Sequence, residues 1–203
     1  MTKRRRQLIA AAEEVFATKG YAETTMADLA EAAGVTRPTV YAYFSSKDDV
    51  LSAVAEGVRD SFIALQQQSG STPAETFVLT LRAYLLEFVR HYGVLTVITH
   101  QALADPAYAT ILDEIHRRTN RRHAKFMHRL VEMGIAAPEL APDEIAEIVT
   151  GASMRFAQLI VENPGTEEKY SDALVKAHLA MLGYRASPME LAQLPTRVSP
   201  NAG

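Results

Sequence analysis

The stretch Thr25–Lys47, TMADLAEAAGVTRPTVYAYFSSK, limits the possible folds of this chain more than any other. Thr25 stands three residues before Asp28 and directly ahead of an apolar-periodic segment, the pattern of a capping box at a helix start. Leu29, Ala30 and Ala33 put small and apolar side chains on one face of that helix. Gly34 ends it, where a residue without a Cβ adopts left-handed backbone most easily. Val35 then plugs the turn. Thr36 is placed to cap a second helix, with Pro38 in its first turn, where a missing N–H costs little. The spacing predicts helices over about 26–33 and 37–44. With small residues at 30 and 34 and apolar ones at 29, 35 and 40, the two can cross closely at a steep angle, as in a helix-turn-helix.

Such a corner also occurs in all-α proteins that never touch DNA. The outer side of the second helix separates the two readings. Arg37, Thr39, Tyr41 and Tyr43 carry hydrogen-bonding groups there, while Val40 and Phe44 face the other way. A merely solvated helix more often carries Glu and Lys; these groups suit bases and phosphates.

The flanking sequence is helical throughout. Arg4–Lys19 has an apolar stripe of Leu8, Ile9, Ala11, Ala12, Val15 and Phe16; Gly20 closes it and Tyr21 packs back over its end. Ser46 with Asp49 forms a second capping box, opening a helix from Lys47 to about Gln67. GSTP at 70–73 is the clearest linker. Pro73 opens a helix to about His91, Gly93 is expected to break it, and a short helix runs on to about Ala104. Asp105-Pro106 restarts the chain as a helix to about Gly134, expected to be the longest. The next helix has Asp143 and Glu144 in its first turn and ends near Asn163-Pro164-Gly165; the last covers about 167–182. Residues 185–203, with three prolines, read as a mobile tail. Nothing reads as a strand or a repeat.

Composition narrows the function classes. In 203 residues, 48% hydrophobic, there is material for one or two helical domains with a real core. The absence of cysteine excludes disulfides and thiolate metal sites and suits a reducing intracellular compartment. The start TKRRR leads into an amphipathic rather than an apolar segment, so no signal peptide is expected. No apolar run approaches the ~18 residues that span a bilayer. A net charge of −3 argues against indiscriminate coating of nucleic acid. The basic start, Lys3, Arg4, Arg5 and Arg6, reads either as an arm reaching DNA or as a solvated helix beginning. An enzyme finds no support: there is no Gly-rich phosphate loop, no G-x-S-x-G, no H-E-x-x-H and no cysteine nucleophile. The pairs Glu13-Glu14 and Asp48-Asp49 read as solvated carboxylates.

The run RRQLIAAAEEVFATKGYAETTMADLAEAAGVTRPTVYAYFSSKDDVL resembles the N-terminal part of the TetR family of one-component transcriptional regulators. The FATKGY corner, TTMADLAEAAGV, TVYAYF and FSSKDDVL carry the resemblance. Beyond about residue 60 only an all-helical plan is shared. The resemblance implies an all-α fold: an N-terminal three-helix helix-turn-helix domain, 1–48, and a C-terminal helical ligand-binding and dimerisation domain, 49–184. It implies a cytoplasmic homodimer, joined through its last two helices, that binds a double-stranded DNA operator and is released by a small apolar or amphipathic effector. No cofactor, metal or membrane is implied. Carried over by position, Thr25 would bind a phosphate, and Thr36, Arg37, Pro38 and Thr39 would meet bases and nearby backbone. Tyr41 would donate its hydroxyl to a phosphate, and Lys47 would pair with another. Tyr43 departs from the histidine common there. Arg37 is the main specificity candidate, since a guanidinium takes guanine O6 and N7 together.

For the effector, Tyr84, Phe88, Leu95, Ile98, Thr99 and Leu103 are candidate lining residues, as are Tyr108, Ile111, Ile115, Phe126 and Phe156. Individually each reads better as core; together they suggest an apolar cavity with a few polar contacts. Between His116 and Arg129 stand six Lys or Arg, three His and no acid. His116, Asn120 and His123 share a face bordering the core, so the stretch reads as a polar anchor for a ligand or as a solvated basic face with snorkelling stems. The alternative to an effector-controlled regulator is a helix-turn-helix protein without a ligand, governed by a protein partner or its own abundance. A cavity of a few hundred Å³ discriminates between them.

Overall fold

The computed structural model describes residues 2–65 and 72–184, and their secondary structure is eight α-helices without a strand. These are α1 (Lys3–Glu23), α2 (Met26–Ala32), α3 (Arg37–Tyr41), α4 (Lys47–Ala64), α5 (Pro73–Ala102), α6 (Pro106–Glu132), α7 (Pro142–Glu162) and α8 (Glu167–Met181). Residues 70 and 71 of the expected linker, the end of α4 expected to reach Gln67, and the expected tail at 185–203 lie outside the described residues.

The helices gather into two compact units that do not follow chain order. One holds the chain up to Ser61 together with His91–Ile115; the other holds Phe62–Arg90 together with the chain from His116 onward. Each of α4, α5 and α6 is therefore divided between them.

In the first unit, Leu8, Ala12 and Phe16 of α1 are buried with Leu29 and Ala30 of α2, Val40 of α3 and Val50, Leu51, Val54 and Val58 of α4. α2 packs on both α1 and α3. The basic start is helical: Lys3–Arg6 form the first turn of α1 behind Thr2, whose hydroxyl accepts the Arg5 N–H at 3.3 Å. Of the two readings of the basic start, its local structure is that of the helix beginning. α1 is interrupted at Gly20 (φ 76°, ψ 176°), and the Phe16 and Tyr21 rings stack at 6.3 Å across the interruption.

Two expectations about the middle of the chain are corrected. Gly93 does not break a helix; α5 runs through it for 30 residues and is longer than the 27-residue α6. A Cβ placed on Gly93 would stand 2.7 Å from the Cβ of Ala17 and 3.2 Å from its carbonyl oxygen. This glycine serves close approach of α5 to α1, and its cost in helix propensity, about 1 kcal/mol, is offset by packing. Glu13, expected in solvent, receives Nδ1 of the buried His91, whose Nε2 lies 3.2 Å from the Ser61 hydroxyl.

In the second unit, Phe62 meets Tyr84 and Phe88 edge-to-face at 5.6 and 4.8 Å. Met127 and Leu130 of α6, Ile145, Val149 and Ile160 of α7, and Leu174 of α8 are buried. The buried Arg82 of α5 pairs with Asp172 of α8. A buried polar chain crosses this core: the Tyr84 hydroxyl lies 3.2 Å from Thr150 Oγ1, which donates to Asn120 Oδ1 at 2.7 Å. Since Thr150 spends its proton on Asn120, Tyr84 must donate to Thr150.

Candidate nucleic-acid interface and buried cavity

The turn between α2 and α3 is fixed by local bonds. Thr25 Oγ1 accepts the Asp28 N–H at 3.2 Å, and the Asp28 carboxylate accepts the Thr25 N–H at 2.8 Å, a complete capping box. At the other end of α2, Val35 N–H reaches the Ala30 carbonyl (2.9 Å) and Gly34 N–H that of Glu31 (3.0 Å), with Gly34 at φ 62°. This Schellman pair requires the left-handed backbone that glycine adopts without strain. Lys19 Nζ donates to Asp28 at 2.7 Å and ties α2 to α1. That bond, with those from Thr25, holds the Asp28 carboxyl at about 2, below its ordinary 3.8.

The expected DNA contacts fall into two groups. Arg37 is exposed, Tyr41 is 54% and Tyr43 38% exposed, and none of the three side chains makes a hydrogen bond among the described residues. Pro38, in the first turn of α3, is also exposed. Val40 and Phe44, on the opposite face, are 1% and 3% exposed. The second group is already engaged within the protein. Thr25 is in its capping box. Thr36 occupies the N-cap of α3 but makes no capping bond; its hydroxyl instead pairs with that of Thr39 at 2.9 Å. Lys47 Nζ donates to the Tyr21 carbonyl at 2.7 Å and lies 4.2 Å from the centre of the Tyr21 ring, fastening the start of α4 to the end of α1. Arg5 lies over the Phe44 ring at 5.1 Å, bringing the basic first turn beside the end of α3.

Sequence reasoning missed the carboxylates that hold this arrangement. Asp48 accepts the Tyr21 hydroxyl, and Asp49 accepts both the N–H and the hydroxyl of Ser45. The capping box expected of Ser46 and Asp49 is half present: Ser46 Oγ accepts Asp49 N–H at 3.1 Å, but the carboxylate returns to Ser45. The signal lay in the adjacency of Ser45 and Ser46, either of which could serve that carboxylate.

The second unit carries a partly open cavity of about 230 Å³ between the end of α4, the first half of α5 and the middle of α6. Phe62, Phe77, Leu81, Tyr84 and Phe126 supply its apolar wall, and Arg122, His123 and Arg129 reach it from α6. His123 and His178 pack at 4.7 Å between ring centres, with Phe77 4.6 Å from His178. Burial lowers His123 to about 4; burial, then its neighbour His123, lowers His178 to about 2. His178 Nε2 lies 3.3 Å from the Met127 sulfur, and its Nδ1 is buried without a partner.

Of the residues expected to line a pocket, Tyr84, His123 and Phe126 do so. Phe88 is buried behind Tyr84, their rings 4.9 Å apart, and Asn120 belongs to the polar chain through Thr150. Phe156 packs on Tyr170 at 5.1 Å. Leu95, Ile98, Thr99, Leu103, Tyr108, Ile111 and Ile115 fall in the other unit and do not line this cavity. Leu95, Ile98, Tyr108 and Ile115 are core there, Ile111 is half-buried, Thr99 is exposed and Leu103 is 84% exposed. α5 passes through Gly93 unbroken to Ala102, and residues 91–115, from both α5 and α6, pack within the first unit.

Comparison with known proteins matches this head directly. Residues 8–54 fit the profile described as bacterial regulatory proteins, tetR family. The chain is 36% identical over 83 residues to the HTH-type transcriptional regulator TtgR of Pseudomonas putida, covering 41% of this chain and 40% of that one. It is 30% identical over 141 residues to the HTH-type transcriptional regulator HbdR of Aromatoleum sp., covering 67% and 61%. The chain belongs to the tetR family.

These matches span less than two thirds of the relatives' own lengths. The tetR-family fold extends further than the sequence likeness. The fatty acid degradation regulator FadR of Bacillus halodurans superposes with a TM-score of 0.74 at 19% identity, over 91% of this chain and 99% of that one. A ketosteroid transcriptional regulator of Mycobacterium tuberculosis does so at 0.71 and 21%, over 92% and 97%. At such identities the likeness is one of fold. The all-helical plan beyond the head is thus that of the family, whereas the cavity residues belong to this chain.

Proposed function

We propose that this protein is a homodimeric transcriptional repressor whose α3 reads a palindromic operator and which a small apolar or amphipathic effector releases. In this reading residues 1–48 hold the DNA, and residues 49–184 hold the effector and the second copy. The carrying observation is the outer face of α3 and the turn after it, where Arg37, Tyr41 and Tyr43 present polar tips without internal partners among the described residues, opposite a buried Val40. Arg37 is the base reader and Tyr41 the phosphate donor. Thr36, Pro38, Thr39 and Tyr43 complete the groove face, and Lys3, Arg4, Arg5 and Arg6 add charge beside it. Thr25 and Lys47 act mainly by holding the helices, since their polar groups are already bonded.

A five-residue α3 reaches few bases, and a two-fold partner doubles the site. On α7, Ile148, Met154 and Val161 are 48%, 38% and 46% exposed, and Gly151 between them faces open space. Met154 and Val161, seven residues apart, share one line along the exposed side of α7, with Ile148 about a third of a turn round, and this exposed side supports pairing of α7 and α8 with a second copy. The cavity supports control by an effector over control by a protein partner or by abundance. Such a protein works beside its DNA in the cytoplasm; among the described residues no helix is long and apolar enough to cross a membrane.

Selection of bound sequences from random duplex DNA by the purified protein tests the reading. A two-fold symmetric consensus, bound with an affinity that falls steeply as salt rises, is expected. No enriched consensus, or an affinity indifferent to salt, would remove the DNA-binding claim.

A further inference from the structure

Nearly every polar group that lines the cavity already has a partner. Thr80 Oγ1 donates at 2.7 Å to the Thr76 carbonyl within its own helix, and Tyr84 donates to Thr150. Thr76, Thr119 and Arg122 are likewise engaged within the protein. Arg129 is exposed and rests over the Phe126 ring at 5.5 Å, so its charge stays in water at the rim. His123 differs. Its ring lies 5.7 Å from that of Phe77 and 4.7 Å from that of His178, but among the described residues its nitrogens make no hydrogen bond. The neighbouring His178 does not serve it, since His178 Nε2 lies 3.3 Å from the Met127 sulfur and its Nδ1 has no partner among the described residues. Burial holds His123 at about 4, which keeps it neutral near pH 7. A neutral imidazole offers one N–H and one bare nitrogen, and leaving both unbonded in an apolar wall is unfavourable.

We propose that the cavity takes a neutral phenol, its ring among Phe62, Phe77, Tyr84 and Phe126 and its hydroxyl bonded to the His123 imidazole. This rests on the effector-controlled reading above and names the effector's chemical class. A hydroxyl suits either tautomer of the imidazole, since it donates to the bare nitrogen or accepts from the N–H, whereas an ether or carbonyl oxygen only accepts. The four aromatic walls favour an aromatic guest, because edge-to-face and offset contacts between rings add to what burial of area alone supplies. Among the described residues the lining holds no Asp or Glu, so an ammonium finds no counter-charge there. Size sets the scale: at about 230 Å³ the cavity exceeds the roughly 150 Å³ that accommodates benzene, leaving room for a short substituent on the ring.

Titration calorimetry on the full-length protein tests this with 4-propylphenol, its methyl ether 4-propylanisole and its saturated analogue 4-propylcyclohexanol. At neutral pH the phenol should bind roughly tenfold more tightly than the ether, as expected when a desolvated group gains or misses its hydrogen bond. The saturated alcohol should bind roughly three- to tenfold more weakly than the phenol for want of ring contacts. His123→Phe, which keeps a ring in place, should erase most of the phenol's advantage over the ether. His123→Gln, which restores a donor and an acceptor, should recover part of it, with thermal melting showing that both variants fold. An ether as tight as the phenol, or an advantage that survives in His123→Phe, would overturn the contact with His123 and leave effector control standing. A saturated alcohol that binds as well would overturn the aromatic class, and tighter binding of 4-propylbenzoate would assign the cavity to an acid instead. If none of these compounds binds, the effector reading falls with it.

Discussion

The hydrogen bonds that shape the turn between α2 and α3 join residues no more than five apart, as from Val35 to Ala30. The cavity, by contrast, is walled by residues from Phe62 to Arg129 that meet only once three helices have packed. The two regions also differ in what they do with polar groups. The head turns Arg37, Tyr41 and Tyr43 outward, whereas the cavity unit buries Tyr84, Thr150, Asn120 and His178, joining the first three in one chain and leaving Asn120 Nδ2 and His178 Nδ1 without a partner among the described residues. A site read by DNA keeps its donors available and its scaffold locally specified. A site that encloses a small molecule depends on long-range packing, and therefore on the stability of everything around it.

Acid should separate the regions most strongly. His123 and His178 are held below the ordinary 6.5, at about 4 and about 2. Below about pH 6.5 the unfolded chain takes up protons that the folded pair refuses, so stability is complete above that pH and falls as acidity rises toward 4. For His123 alone, the gap between 6.5 and about 4 corresponds to on the order of 3 kcal/mol. Amide exchange at pH 5 against pH 7 should show α6 and α8 losing protection before α2 and α3, and His123→Gln with His178→Gln should flatten the difference. Equal loss in both regions would break the contrast.

A smaller and opposite split is expected at Arg37. Arg37→Ala should cost about 1–3 kcal/mol of base discrimination at one position in each half-site, with no change in melting temperature. Uniform weakening across operator variants would instead reduce Arg37 to backbone positioning. Thr25→Ala should act through the scaffold: losing the capping box lowers stability by about 1 kcal/mol, read in denaturant unfolding, while the sequence preference stays the same. A changed preference would give Thr25 a direct part in reading. The smallest effect belongs to Tyr84→Phe, which removes the donor to Thr150 and should cost roughly 0.5–1.5 kcal/mol in unfolding experiments. Its operator affinity without effector should match the parent's, and a shift there would make the polar chain part of the switch.

The same contrast explains what the sequence could tell. Thr25, Asp28, Gly34 and Pro38 declare their roles within a few positions, so both helices and the outer face of α3 were legible. Tyr84, His123 and Phe126 were picked out by type and helical face, but the candidates between 95 and 115 were not separable from them, because only packing assigns those residues to the other unit. A glycine inside a helical pattern reads as a break when the partner that needs its missing Cβ lies 76 positions earlier. Glu13 and His91 were misread for the same reason, each seeming ordinary until the other arrived. His178, far along the chain from His123, carried no local mark of the pair they form.

The Gly93–Ala17 junction has a consequence for how such a sequence can change. The volume there is shared, and a methyl group added at 93 occupies space that the methyl at 17 already fills. Gly93→Ala alone is an overpacked substitution of the kind that costs about 1–3 kcal/mol. Joined to Ala17→Gly it only moves the methyl from one helix to the other. The two positions are thus a single inherited character written in two places, and descendants of this chain should alter them together or leave both alone.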